Sequence, residues 1–119
     1  MKEFNTIYAS AARTATPAAV EFAVGTKGCI VIIDVSAVTA TPAVTVTISG
    51  VDPNSDAIYT ILASTAIATV STTVLRVYPG LTASANATVS DVLPGAIRIA
   101  ASHGDADSAT YSVSYIGVD

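Results

Sequence analysis

The chain has 119 residues, the length of one domain, with 51% hydrophobic residues, only 12% charged residues and a net charge of −4. Its five basic residues are scattered singly, which excludes the basic patch that nucleic-acid binding needs. Mean hydropathy is positive, yet the longest strongly apolar stretch, Cys29–Ile33, is far below the ~20 residues of a membrane helix, so neither a nucleic-acid nor a membrane partner is expected.

Taken in chain order, the opening Met-Lys-Glu-Phe-Asn-Thr has no apolar signal core, and synthesis in the cytoplasm is the expectation. Residues 1–18 read as an N-terminal arm or edge strand, one that either folds back or is donated to a neighbour. Residues 19–119 read as a β-sandwich domain. Strand patterns fall near 5–10, 19–24, 28–36, 43–50, 57–63, 72–78, 95–102 and 109–117. Val44, Val46 and Ile48 alternate with Thr45, Thr47 and Ser49, a strand with one buried face. Thr73, Leu75 and Val77 repeat the pattern against Val74, Arg76 and Tyr78, as do Ile97, Ile99 and Ala101, and then Tyr111, Val113 and Tyr115. Cys29–Ile33 is apolar on both faces and reads as a central strand.

Turn residues separate these runs: Gly25–Gly28, Gly50–Asp56, Tyr78-Pro79-Gly80, Leu93-Pro94-Gly95 and Ser102–Asp107. Leu81–Val92, rich in Thr, Ser and Asn, reads as an irregular crossover between sheets. The expected fold class is all-β, an antiparallel β-sandwich of jelly-roll or Greek-key type with about eight short strands.

The inventory for chemistry is short. His103 lies in a loop beside Asp105 and Asp107, but no Gly-x-Ser-x-Gly elbow accompanies it. Cys29 has no second cysteine to pair with and sits where a thiol acts as a small hydrophobe. Asp52-x-Asn54-x-Asp56 resembles the start of a calcium loop, but Ala57 replaces the sixth-position glycine and no glutamate closes the loop. That stretch, like Asp105 and Asp107, reads more simply as a capped turn. Asn86-Ala87-Thr88 matches a glycosylation triplet that matters only in a secreted chain. Five tyrosines, Tyr8, Tyr59, Tyr78, Tyr111 and Tyr115, would form a glycan platform if exposed together, although most are expected in the core. No catalytic, cofactor-binding or metal residues are assigned, no cofactor is expected, and the chain reads as a non-enzyme. Thr, Ser and Ala stand where Lys and Glu usually do, which reads either as a plain Thr/Ser-rich β surface or as a surface largely covered by partners.

Several stretches carry a resemblance: Ser10–Thr16 (SAARTAT), Ile33–Pro42 (IDVSAVTATP), Tyr59–Ser64 (YTILAS), Leu75–Leu81 (LRVYPGL) and Asp91–Pro94 (DVLP). Together they resemble a family of small virion structural proteins of tailed bacteriophages and prophages, similar in architecture to β-sandwich capsid decoration, or cement, proteins. The resemblance implies a virion location and contact with the major capsid protein or other virion proteins. It also implies a homo-oligomer, with a trimer as the expected order, and a role in stabilising the shell by bridging capsomers. A tail or head–tail accessory protein and a glycan-binding attachment module are the alternatives.

Overall fold

Alternation in the sequence becomes alternation in burial. Val44, Val46, Ile48, Leu75, Val77, Ile97, Ile99, Ala101, Tyr111, Val113 and Tyr115 are all buried. The computed structural model describes residues 3–119 and has nine strands: β1 (Glu3–Arg13), β2 (Val20–Ala23), β3 (Gly28–Val38), β4 (Val44–Val51), β5 (Ile58–Ala63), β6 (Ser71–Val77), β7 (Thr88–Val89), β8 (Ala96–His103) and β9 (Ala109–Val118). They form two sheets, in the orders β1-β9-β3-β6-β7 and β2-β8-β4-β5.

The pairs β1–β9, β2–β8, β3–β6 and β4–β5 are those of one long hairpin folded back on itself. Rolling that hairpin brings β9 beside β3 and β8 beside β4, which closes a jelly-roll sandwich. All of these pairs are antiparallel. The expected irregular crossover differs in one respect, because Thr88 and Val89 pair in parallel with Arg76 and Val77. The backbone N–H groups of Arg76 and Tyr78 donate to the carbonyls of Ala87 and Val89, so the crossover covers the edge of β6.

Of the N-terminal segment, residues 1 and 2 lie outside the described residues. From Glu3 onward the segment is the edge strand β1, which folds back on β9 of its own chain with bulges at Thr6/Tyr8 and Tyr8/Ala11.

One core fills the space between the sheets, from Ile7, Val31, Ile33 and Val35 through Leu75 and Val77 to Ile97, Ile99 and Tyr111. Each fully buried aliphatic side chain there stabilises the fold by about 1.5–3 kcal/mol. Among the described residues no buried side-chain nitrogen or oxygen lacks a hydrogen-bond partner. The run Cys29–Ile33 is central in its sheet, as expected, but its two faces differ. Cys29, Val31 and Ile33 are buried, whereas Ile30 and Ile32 are only half-buried, because a two-layer sandwich places no layer over its outer faces.

Candidate functional site

Directly opposed residues on neighbouring strands share a face of the sheet, so the register defines the outer surface of the five-stranded sheet. One row across four strands reads Phe4, Ile116, Ile30, Arg76, and the next reads Thr6, Ser114, Ile32, Val74. A third continues with Ser112, Asp34 and Thr72. Phe4 is 62% exposed, while Ile116, Ile30, Ile32 and Val74 are half-buried. Arg76 and Asp34 are the charged residues of these rows. Opposed positions on the outer face of the other sheet are Thr45 and Ser102, Thr47 and Ala100, and Glu21 and Arg98. Those rows are polar, and the exposed apolar side chains of that sheet, Ile58 and Tyr59, lie on its edge strand β5.

Beside the first row lies a recess of about 140 Å³ lined by Ile30, Arg76, Tyr78, Leu81 and Val118. A turn builds its wall. Leu81 N–H donates to the Tyr78 carbonyl at 3.4 Å, Pro79 occupies the position that fixes φ, and Gly80 has φ 89°, the requirements of a type II turn. Tyr78 is held across the sheet because Gly28 has no side chain: a Cβ there would collide with the Val77 carbonyl oxygen and the Tyr78 ring. The Tyr78 hydroxyl donates to the Asp119 carbonyl at 2.7 Å and fixes the far end of the ring.

A second recess of about 150 Å³ is lined by Glu3, Phe4, Asn5, Phe22, Ala23 and Tyr115. Here the Tyr115 hydroxyl donates to Glu3 Oε1 at 3.3 Å and Phe22 meets the Tyr115 ring edge-on at 5.0 Å. Burial pushes the Tyr115 phenol up to about 12.

The residues singled out for chemistry remain scattered. His103 Nε2 lies 2.8 Å from the Tyr111 hydroxyl, and its backbone N–H donates to Thr16 Oγ1 at 2.9 Å. Burial, and then the Arg13 guanidinium, lower the His103 pKa, with Asp105 opposing them. Cys29 is buried, and burial raises its thiol to about 12, which leaves it unreactive at neutral pH. Asp52 accepts hydrogen bonds from the Asn54 N–H at 2.8 Å and the Ser55 hydroxyl at 3.1 Å, and these bonds lower its pKa. Asp105 and Asp107 cap the N–H groups of Asp107 and Thr41. Among the described residues, no cluster of three or more His, Cys, Asp or Glu side chains is arranged to hold a metal ion. Asn86, with φ 60°, donates from its amide to the Ala63 carbonyl at 3.0 Å.

The five tyrosines do not share a face. Tyr8, Tyr111 and Tyr115 are buried, Tyr78 lies against Gly28, and Tyr59 lies over Gly50 on the other sheet. Three of the five thus lie in the core, as expected, and the alternative of a shared glycan platform is not assembled.

Arg13 has a role that sequence reading missed. Its guanidinium donates to the carbonyls of Ala9 at 2.7 Å, Ala11 at 3.2 Å and Tyr111 at 2.8 Å, and it lies over the rings of Tyr8 and Tyr111. It locks the second bulge of β1 against β9. Nothing in Ala-Ala-Arg-Thr signals this, since the local partners Ala9 and Ala11 are reached only through the bulge and Tyr111 comes from the opposite end of the chain.

No protein-family model, curated relative or solved structure matches the chain.

Proposed function

We propose that the protein is a structural component of a tailed-phage virion that decorates the capsid and stabilises it by bridging capsomers. The observation that carries this reading is the outer face of the five-stranded sheet, where Phe4, Ile116, Ile30, Ile32 and Val74 form a contiguous apolar surface. Isolated exposed hydrophobics are ordinary, but a contiguous apolar patch marks a surface made for contact. The jelly roll is an architecture used by viral capsid domains, which supports the setting, although lectins share it and fold alone does not fix function. The resemblance of SAARTAT, IDVSAVTATP and LRVYPGL to small phage virion proteins gives the setting its specificity.

In this reading the protein works by adding buried contact area that exists only in the assembled shell, not by catalysis. Its partners are the major capsid protein, or other virion proteins, and copies of itself. Symmetric repetition multiplies a modest contact many-fold. The test is to mix the purified protein with expanded capsids of the phage or prophage that encodes it. Co-sedimentation with the capsids, and a higher temperature of capsid rupture, support the reading. Protein that stays in the supernatant, with unaltered capsids, overturns it, and binding to tails instead would establish the accessory role.

A further inference from the structure

The apolar face carries both a projection and a hollow, and they match each other. Phe4 projects from β1 at one end of the row Phe4, Ile116, Ile30, Arg76, and the recess lined by Ile30, Arg76, Tyr78, Leu81 and Val118 opens at the other end. Its volume of about 140 Å³ compares with the roughly 150 Å³ of an apolar cavity that accepts benzene, so it is the size for one phenyl ring. Strands are spaced at about 4.8 Å, which puts Phe4 roughly 12 Å from the recess, too far for a chain to fill its own.

We propose that two copies of this chain pack face to face about a two-fold axis, each seating its Phe4 in the recess of the other. An axis parallel to the strands, above the β9–β3 boundary, exchanges projection and hollow while keeping every row opposite itself. The apolar row then meets the apolar row, and in the next row Thr6 and Ser114 come opposite the partner's Val74 and the partner's Ile32. Ile116 and Ile30 flank the axis, so Ile116 packs on the partner's Ile30 and Ile30 on the partner's Ile116, an isologous contact. Arg76 lines the recess, so its side chain lies beside the incoming ring. Because projection and hollow share one face, the symmetry is two-fold, in place of the trimer expected from the resemblance. Four strands of this length give a face that buries roughly 1,000 Å² in total, the lower bound for a specific interface, so the dimer is weak and concentration-dependent.

This inference stands apart from the virion reading, because it is tested on the isolated protein. Sedimentation equilibrium over a concentration series is expected to show a monomer–dimer equilibrium. Phe4→Ala weakens it at least tenfold without changing the thermal midpoint, since Phe4 is largely exposed. Val92→Ala, which truncates an exposed apolar residue outside these rows, leaves it unchanged. A Phe4→Cys/Leu81→Cys double variant oxidises to a covalent dimer, while buried Cys29 stays reduced. A monomer at every concentration up to about 1 mM, or a dimer that Phe4→Ala leaves intact, overturns the proposal.

Discussion

Arg13 and Tyr111, 98 residues apart in sequence, are joined twice: the guanidinium donates to the Tyr111 carbonyl at 2.8 Å and lies 4.7 Å from the centre of its ring. The contact ties the end of edge strand β1 to the sheet at the bulge where ladder pairing is interrupted. Arg13→Ala leaves the carbonyls of Ala9 and Ala11 to water and removes the cation from two ring faces, with an expected cost of about 2 kcal/mol. Arg13→Lys recovers less than half of that, because an ammonium cannot supply the planar fork. Chemical denaturation of the three proteins measures both differences. Equal stability of the Lys variant and the wild type would contradict the geometry.

Gly28 and Gly50 each face an aromatic ring, but truncating the space has different consequences. A Cβ on Gly28 meets the Val77 backbone carbonyl, which cannot move without disturbing the β3–β6 ladder. A Cβ on Gly50 meets the far end of the exposed Tyr59 ring, which can swing into solvent. Gly28→Ala is therefore expected to cost about 3 kcal/mol and Gly50→Ala about 1 kcal/mol or less. Thermal unfolding of the two variants checks the order, and a reversed order would contradict the packing described.

Acid stability should carry the signature of His103. Its pKa is lowered in the folded protein by burial and by Arg13, so the unfolded chain takes up a proton first as pH falls. The contribution is complete above the ordinary histidine value of 6.5 and is lost as pH falls through the lowered folded value. The unfolding midpoint is expected to drop as pH falls below 6.5 in the wild type and to drop less in His103→Gln. Parallel pH profiles for the two proteins would remove His103 from the account.

At alkaline pH the sign reverses. Tyr115 and Cys29 are both raised to about 12 by burial, so each holds its proton in the folded state after the unfolded chain has lost it. Stability from Cys29 is present below pH 9 and that from Tyr115 below pH 10, and both are lost as pH rises toward about 12. Tyrosinate absorbance and thiol labelling should therefore develop together with unfolding. Labelling of Cys29 at pH 9 in protein that remains folded would contradict its burial.

Much of the sandwich was legible because a half-buried strand writes its inward face into the sequence at every second residue. Val44–Ile48 and Tyr111–Tyr115 show this directly, and their inward residues are buried. Strand order was not legible, since β1–β9 pairing joins the two ends of the chain and leaves no local trace. The apolar run at Cys29–Ile33 suggested burial on both sides, but periodicity cannot tell a covered outer face from a bare one, and Ile30 and Ile32 are only half-buried. The candidate site was hidden for the same reason. Phe4, Ile116, Ile30 and Arg76 come from four strands, and only the register brings them into one row.

The reading that joins these features is that the protein acts by contact through the apolar face of its five-stranded sheet. Under the virion role proposed above, cryo-electron microscopy of the particle tests that most directly. The expected map places the sandwich on the head, with Phe4, Ile116 and Ile30 covered by a neighbouring chain. A particle that lacks the protein, or one in which that face is open to solvent in every copy, would contradict the account.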